Sequence, residues 1–469
     1  MNRYKKLFST TVILGIGTFG SKLLTFLLMP LYTHVLTQGE YGTVDLLVQA
    51  ANLLIPLVSL GINESIIRFG ADGETDPRTV FSTGFVTILI GFGGFCLLFP
   101  ALRLIPGFGE HLPLIYLFIF CSMMHYLCAR LTKALGFVKR FALGGILGTA
   151  LTLLLNVLFL LVLDWGISGY ILAILLSDVC TIIFLTIVSR LYRYLRFNWI
   201  KKTKWKAMLR YSIPLIPTTV LWWITDVSDR YIVKLFLGAD ANGLYAVSYK
   251  IPTILVLLCS VFMDAWQLSV LAEKSKLERQ TFFSKVFSLY QSVMFLAAGG
   301  LIVFAKVITK ILVSDAFYAS WQYIPTLIIA TAFSCFVTFL GTVYVVEKQS
   351  TSTLWTSCLG AGMNIVGNIL LIPVWGVHGA AVSTALSYMI VFFTRAVHTR
   401  RFIPIDWSVR RFAVNFGIVC VQGAVMILEV SGWIVIEALL LLLLFVINGK
   451  ALLQTMKQML SKKGAGAGD

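Results

Sequence analysis

Apolar runs of spanning length, cut by short polar stretches, set the pattern of this chain. An α-helix needs about 20 apolar residues to cross a bilayer. By that ruler fourteen spans are predicted, near 7–33, 43–63, 80–100, 112–132, 142–163, 167–189, 212–236, 243–268, 284–304, 320–345, 353–373, 377–397, 412–428 and 432–448. The pattern predicts an all-α integral membrane protein. Connections such as Asp164–Gly166 and Val374–Gly376 are so short that their flanking helices must form antiparallel hairpins. The first run, from Leu7 to about Tyr32, is too long for the apolar region of a signal peptide and is read as a span. The terminal Gly464–Asp469 is low in complexity and is expected to be disordered.

The pattern also repeats. Trp165-Gly-Ile-Ser-Gly169 and Trp375-Gly-Val-His-Gly379 are matching outer hairpins, and each follows an asparagine in the preceding span: Asn156 in the first, Asn364 and Asn368 in the second. Glu40-Tyr-Gly-Thr-Val44 is likewise echoed by Gly243-Leu-Tyr-Ala-Val247. The unit is six spans, and an even number restores orientation, so the halves are expected as parallel repeats. This divides the chain into an N-terminal lobe (1–189), a basic linker (190–211), a C-terminal lobe (212–397), two further helices (398–449) and a tail (450–469).

Composition agrees: of 469 residues, 58% are apolar and only 13% charged, where soluble domains run near a quarter charged. The formal charge of +17 raises the question of nucleic acid. Its distribution answers it. With the N-terminus placed in the cytoplasm, 31 of the 38 basic residues fall in segments predicted inside and only Arg103, Lys306 and Lys310 outside. That is the topogenic bias of a membrane protein, so both ends are expected in the cytoplasm and no nucleic-acid partner is. Eight cysteines lie within apolar runs with no C-x-x-C pair, and five histidines are dispersed. Neither a disulfide framework nor a metal or other cofactor is expected. No H-E-x-x-H, G-x-S-x-G or Walker sequence occurs, and the longest predicted outer connection, 305–319, is too small for a catalytic domain.

One span breaks the apolar rule. Tyr211–Leu237 carries Asp226, Asp229, Arg230 and Lys234 in its second half, after Pro214 and Pro217. A charge at that depth costs about 2.5–3.5 kcal/mol on insertion scales, so such residues mark function by default. Asp226 and Arg230, four apart, can pair. The repeat offset aligns Lys22 of the first span with Asp226, and Asp45 lies near the level of Lys250. Lys22, Arg230, Lys250 and Lys234 are therefore the candidate cations of a cavity that takes an anionic group. Asp45, Asp226 and Asp229 are the candidates for charge balance or ion coupling. Glu64 and Arg68, with Asp264, are a candidate cytoplasmic gate.

The order and spacing of several segments resemble the polysaccharide-transport flippases: Ser21-Lys22-Leu-Leu-Thr-Phe26, Pro30-Leu-Tyr32, Glu40-Tyr-Gly42, Ser228-Asp229-Arg230-Tyr231, Gly243-Leu-Tyr245, Tyr249-Lys250, Asn368 to Pro373, and Gly376 to Thr384. The resemblance covers essentially the whole chain. It implies two six-helix lobes around a central cavity, two extra C-terminal helices, and a monomer in the bacterial cytoplasmic membrane. It further implies translocation of an undecaprenyl-diphosphate-linked oligosaccharide by alternating access, with polymerase or glycosyltransferase partners and membrane lipids around it. The same superfamily holds lipid II flippases and multidrug or cation antiporters, which are the alternatives. A membrane glycosyltransferase or polymerase is a further one, disfavoured by the short outer loops.

Overall fold

The computed structural model describes residue 26 and residues 28–465, apart from 73, 104–108, 110, 271–275 and 348. Lys22 falls outside the described residues, and so does the side chain of Asp264. Among the described residues every regular element is helical.

The chain packs as two compact units, Met1–Trp223 and Ile224–Asp469. The first holds α1 (Gln38–Val58), α2 (Ile62–Ala71), α3 (Pro77–Cys96), α4 (Phe99–Leu102), α5 (Leu112–Ala134), α6 (Val138–Asn156), α7 (Gly166–Val188) and α8 (Lys202–Ser212). The division falls inside α9 (Ile216–Leu237). The second unit continues with α10 (Ala239–Ser248), α11 (Thr253–Val270), α12 (Lys276–Val303), α13 (Ala305–Leu312), α14 (Ile324–Val346), α15 (Ser350–Trp375), α16 (Val377–His398), α17 (Val409–Ile427) and α18 (Trp433–Ala465).

Ten helices are long and apolar enough to cross a membrane among the described residues, or eleven if the bent pair of α10 and the start of α11 is one span. The charged helix α9 is not among them, and its own sequence explains this. Asp226, Asp229, Arg230 and Lys234 interrupt its apolar run. The span predicted at 43–63 stops earlier: α1 ends at Val58, and Leu60 and Gly61 turn through positive φ (52° and 61°) before α2 begins. The predicted span 243–268 is broken by 44° between Ser248 and Thr253, where Pro252 cannot donate an amide hydrogen. Ahead of α9, Pro214 sits in a tight 3-10 turn, Ile213–Leu215, that separates α8 from α9.

Each unit buries its own core. In the first, α2 and α5 meet through Ile62, Ile66, Ile119, Met123, Leu127 and Leu131, all fully or almost fully buried. In the second, α14 is the central helix, and its Phe333, Phe336 and Phe339 interlock with Phe287, Phe392 and Phe412. Such tilted and edge-on ring pairs add to plain area burial. Arg395, at the inner end of the predicted span 377–397 and one of the 31 basic residues counted as facing the cytoplasm, is buried here instead. It donates from Nη1 to the Val337 carbonyl at 2.9 Å and from Nε to Thr356 Oγ1 at 3.1 Å.

The two predicted hairpins share one construction. Gly166 and Gly376 both take positive φ, 48° and 58°, and each is followed at once by a helix. The second glycine of each motif lets that helix lie against the backbone of the one before. A Cβ on Gly379 would stand 2.3 Å from the Leu371 carbonyl oxygen, and one on Gly169 would stand 3.1 Å from that of Phe159. Backbone cannot yield as a flexible side chain can, so Gly379→Ala is expected to destabilise by about 1–3 kcal/mol. Gly169→Ala should cost less. Thermal melting of the detergent-solubilised variants checks the order, and a Gly379→Ala melt identical to wild type would refute it.

Candidate substrate and coupling site

Charge and hydroxyl converge on α9 in the second unit. Asp229 is fully buried, and its Oδ2 accepts from Tyr245 Oη at 2.7 Å, Tyr249 Oη at 2.7 Å and Thr384 Oγ1 at 3.1 Å. Its Oδ1 accepts from the backbone N–H of Arg230 at 2.8 Å. The carboxylate thus ties α9 to α10, to Tyr249 just beyond it, and to α16. Buried charge is tolerated only when its lone pairs are met in this way. The two tyrosines stand four apart on one face and meet edge-on, 5.1 Å between centroids.

Arg230, 8% exposed, lies with its guanidinium 4.7 Å above the Tyr249 ring. Asp226, one turn back, is exposed, and Tyr388 of α16 donates to its Oδ1. Polar partners extend the cluster into α15. Ser228 donates to Asn364 Oδ1 at 2.9 Å, Asn368 donates to the same oxygen at 2.8 Å, and Asn364 donates to Thr384 Oγ1 at 3.2 Å. Lys234 is half-buried one turn beyond Arg230, and Lys250 is half-buried at the break that follows α10.

The structure therefore brings Asp226, Asp229 and Arg230 together. It adds partners that charge-spotting could not supply: Tyr245, Tyr249, Ser228, Asn364, Thr384 and Tyr388. The i, i+4 spacing of Tyr245/Tyr249 and Asn364/Asn368 is the one trace of these partners in the sequence, and it covers neither Ser228, Thr384 nor Tyr388.

The first unit places the remaining candidates. Asp45 is 8% exposed on α1. Glu64 and Arg68 do not pair with each other. Glu64 forms an ion pair with Arg130 of α5 at 2.7 Å, and Arg68 lies 4.9 Å from the Tyr211 ring. A second polar centre was not anticipated at all: Asp178 of α7 bonds Ser122 Oγ and His125 Nδ1 of α5, each at 2.6 Å. A lone aspartate inside the apolar span 167–189 was its only sequence signal.

The profile of the polysaccharide biosynthesis protein family matches residues 7–267, which is 261 of 469 residues and more than half of the chain. The chain belongs to that family. Among solved structures, the inward-closed lipid II flippase MurJ is similar in fold, with a TM-score of 0.68 at 13% identity, covering 95% of this chain and 99% of that one. A mutant of the Vibrio cholerae MATE transporter VcmN gives 0.58 at 16% identity, with 85% and 96% covered. A MOP superfamily transporter from Pyrococcus furiosus gives 0.60 at 14% identity, with 84% and 95% covered. No curated protein matches. At these identities the likenesses bear on fold. This member of the polysaccharide biosynthesis family has the fold of the MOP transporters.

Proposed function

We propose that the protein is a flippase that carries an undecaprenyl-diphosphate-linked oligosaccharide from the cytoplasmic to the outer leaflet by alternating access. The observation that carries this reading is the charged helix α9: this chain, which belongs to a family named for polysaccharide biosynthesis, carries Asp226, Asp229, Arg230 and Lys234 in a segment otherwise apolar enough for lipid. Intramembrane charge of this density belongs to a solute pathway. The known functions of MurJ, a lipid II flippase, and of the MATE transporters make transport the natural class for this fold.

In this reading the diphosphate engages cations drawn from Arg230, Lys250, Lys234 and Lys22. Guanidinium groups suit phosphate oxygens because they donate two parallel hydrogen bonds. The two aspartates of α9 take different parts. Asp229, sealed and met by three hydroxyls, holds α9 to its neighbours. Asp226, exposed and met by Tyr388, is the carboxylate an ion can reach, with Asp45 a second candidate. The polyprenyl chain stays in lipid throughout.

The test is reconstitution. Purified protein in liposomes should move undecaprenyl diphosphate carriers bearing a glycan, and an imposed proton or sodium gradient should change the rate. Asp226→Asn should remove that gradient dependence by about an order of magnitude while leaving downhill exchange, as expected for a coupling group rather than a binding group. Transport indifferent to both gradients in the wild type would exclude the coupling step.

A further inference from the structure

A separate cavity of about 190 Å³, with a lining of mixed polar and apolar residues, opens within the first unit, where α1, α2, α5 and α9 converge. Its walls hold the Glu64–Arg130 ion pair, the side chains of Asn52, Asn63 and Ser59, and the ring of Tyr126. Arg130 also donates to the Asn63 carbonyl at 3.2 Å. Two of the lining residues carry a buried polar atom that has no hydrogen-bond partner: Ser59 Oγ, on a residue 1% exposed, and Asn63 Oδ1, on a residue 6% exposed. Buried polar atoms are rarely left unmet, and each calls for a water or ligand.

The chemistry of the wall narrows the ligand. A free phosphate or diphosphate needs uncompensated cations, but Arg130 is already neutralised by Glu64. An organic cation needs an uncompensated carboxylate, and Glu64 is answered by Arg130. An apolar group would strand the amides and hydroxyls. What fits is a neutral polyhydroxyl ring: amide and carboxylate groups take neighbouring hydroxyls in pairs, and Tyr126 offers a ring face. At about 30 Å³ of liquid volume per water, the space equals roughly six waters, which is room for one sugar ring and not a chain. The cavity adjoins Arg68 and Arg78 in sequence, at the end predicted to face the cytoplasm.

We infer that this cavity binds a single uncharged sugar residue of the lipid-linked cargo and selects the glycan before it crosses. The inference rests on the flippase reading for its source of sugar, but the pocket is distinct from the charged cluster on α9. Asn63 and Ser59 are the recognition residues, with Glu64 and Arg130 holding each other in place as the polar wall.

Two measurements on the full chain test it. The first compares flipping of undecaprenyl diphosphate without sugar against the same carrier bearing one neutral hexose or N-acetylhexosamine, in wild type, Asn63→Ala and Ser59→Ala. Wild type should favour one of the glycosylated carriers over the bare one. Each variant should lose about tenfold of that preference, the scale of one hydrogen bond to a sugar hydroxyl. A preference unchanged in a variant that melts like wild type overturns the inference, as does a wild type with no preference. The second is saturation-transfer NMR with a panel of free neutral hexoses and N-acetylhexosamines. Signal in wild type that is lost in Asn63→Ala supports the pocket, and no signal in wild type overturns it. If wild type moves no carrier of any kind, the flippase reading fails and the NMR result decides the pocket by itself.

Discussion

Asp229→Ala is expected to lower the melting temperature by several degrees and to abolish transport. The substitution leaves the hydroxyls of Tyr245, Tyr249 and Thr384 in a sealed site without the oxygen they share. Each buried donor stranded in this way costs about 1–3 kcal/mol, and a small share of that is recovered where a hydroxyl finds another neighbour. The diagnostic is rescue. Removing both partners of a buried hydrogen bond with groups of similar shape is close to neutral. Asp229→Ala combined with Tyr245→Phe and Tyr249→Phe should therefore melt above Asp229→Ala alone, while transport stays lost. Melting curves in detergent decide this. A triple variant less stable than the single one would show that the carboxylate acts through something other than these hydroxyls.

Arg230→Ala should give the second large effect, of a different kind. Its guanidinium is the cation of α9 that lies within the cluster, over Tyr249. Losing it should cut transport of a diphosphate-linked carrier by about 10²-fold or more, the scale on which charge-assisted, two-pronged hydrogen bonds to phosphate matter. Arg230→Lys keeps the charge but not the planar fork, and should recover only part of the rate. Carrier flipping in liposomes, with melting as the control for folding, separates the outcomes. If Arg230→Ala transports at the wild-type rate, the diphosphate does not use this cation.

How much of this was legible follows from what leaves a mark in a sequence. Helix placement did for ten or eleven of the fourteen predicted spans among the described residues, because a bilayer demands about 20 apolar residues whatever their order. Breaks inside a run did not: the 44° bend after α10 and the left-handed turn at Leu60 and Gly61 keep the hydropathy of a continuous span. Asp226, Asp229 and Arg230 stood out because charge in lipid is expensive. Their partners Tyr245, Tyr249, Thr384 and Tyr388 did not, since tyrosine and threonine pass unnoticed in an apolar run. Asp178 and His125 were missed for a related reason: they lie 53 positions apart on different helices, and only packing shows that they meet. Arg395 misled because it stands near a predicted helix end, where an exposed cation and a buried one read alike.

The tight hairpin of α15 and α16 carries a mechanical consequence. With Gly379 pressed on the backbone at Leu371, these helices have no room to slide past each other. They must swing as one lever. The load on that lever is α9: Asn364 grips Ser228, Thr384 grips Asp229, and Tyr388 grips Asp226. A tilt of the hairpin would thereby be delivered to the charged helix at three points within about one turn, and in the proposed coupling step an ion arriving at Asp226 would push on the same linkage from the other end.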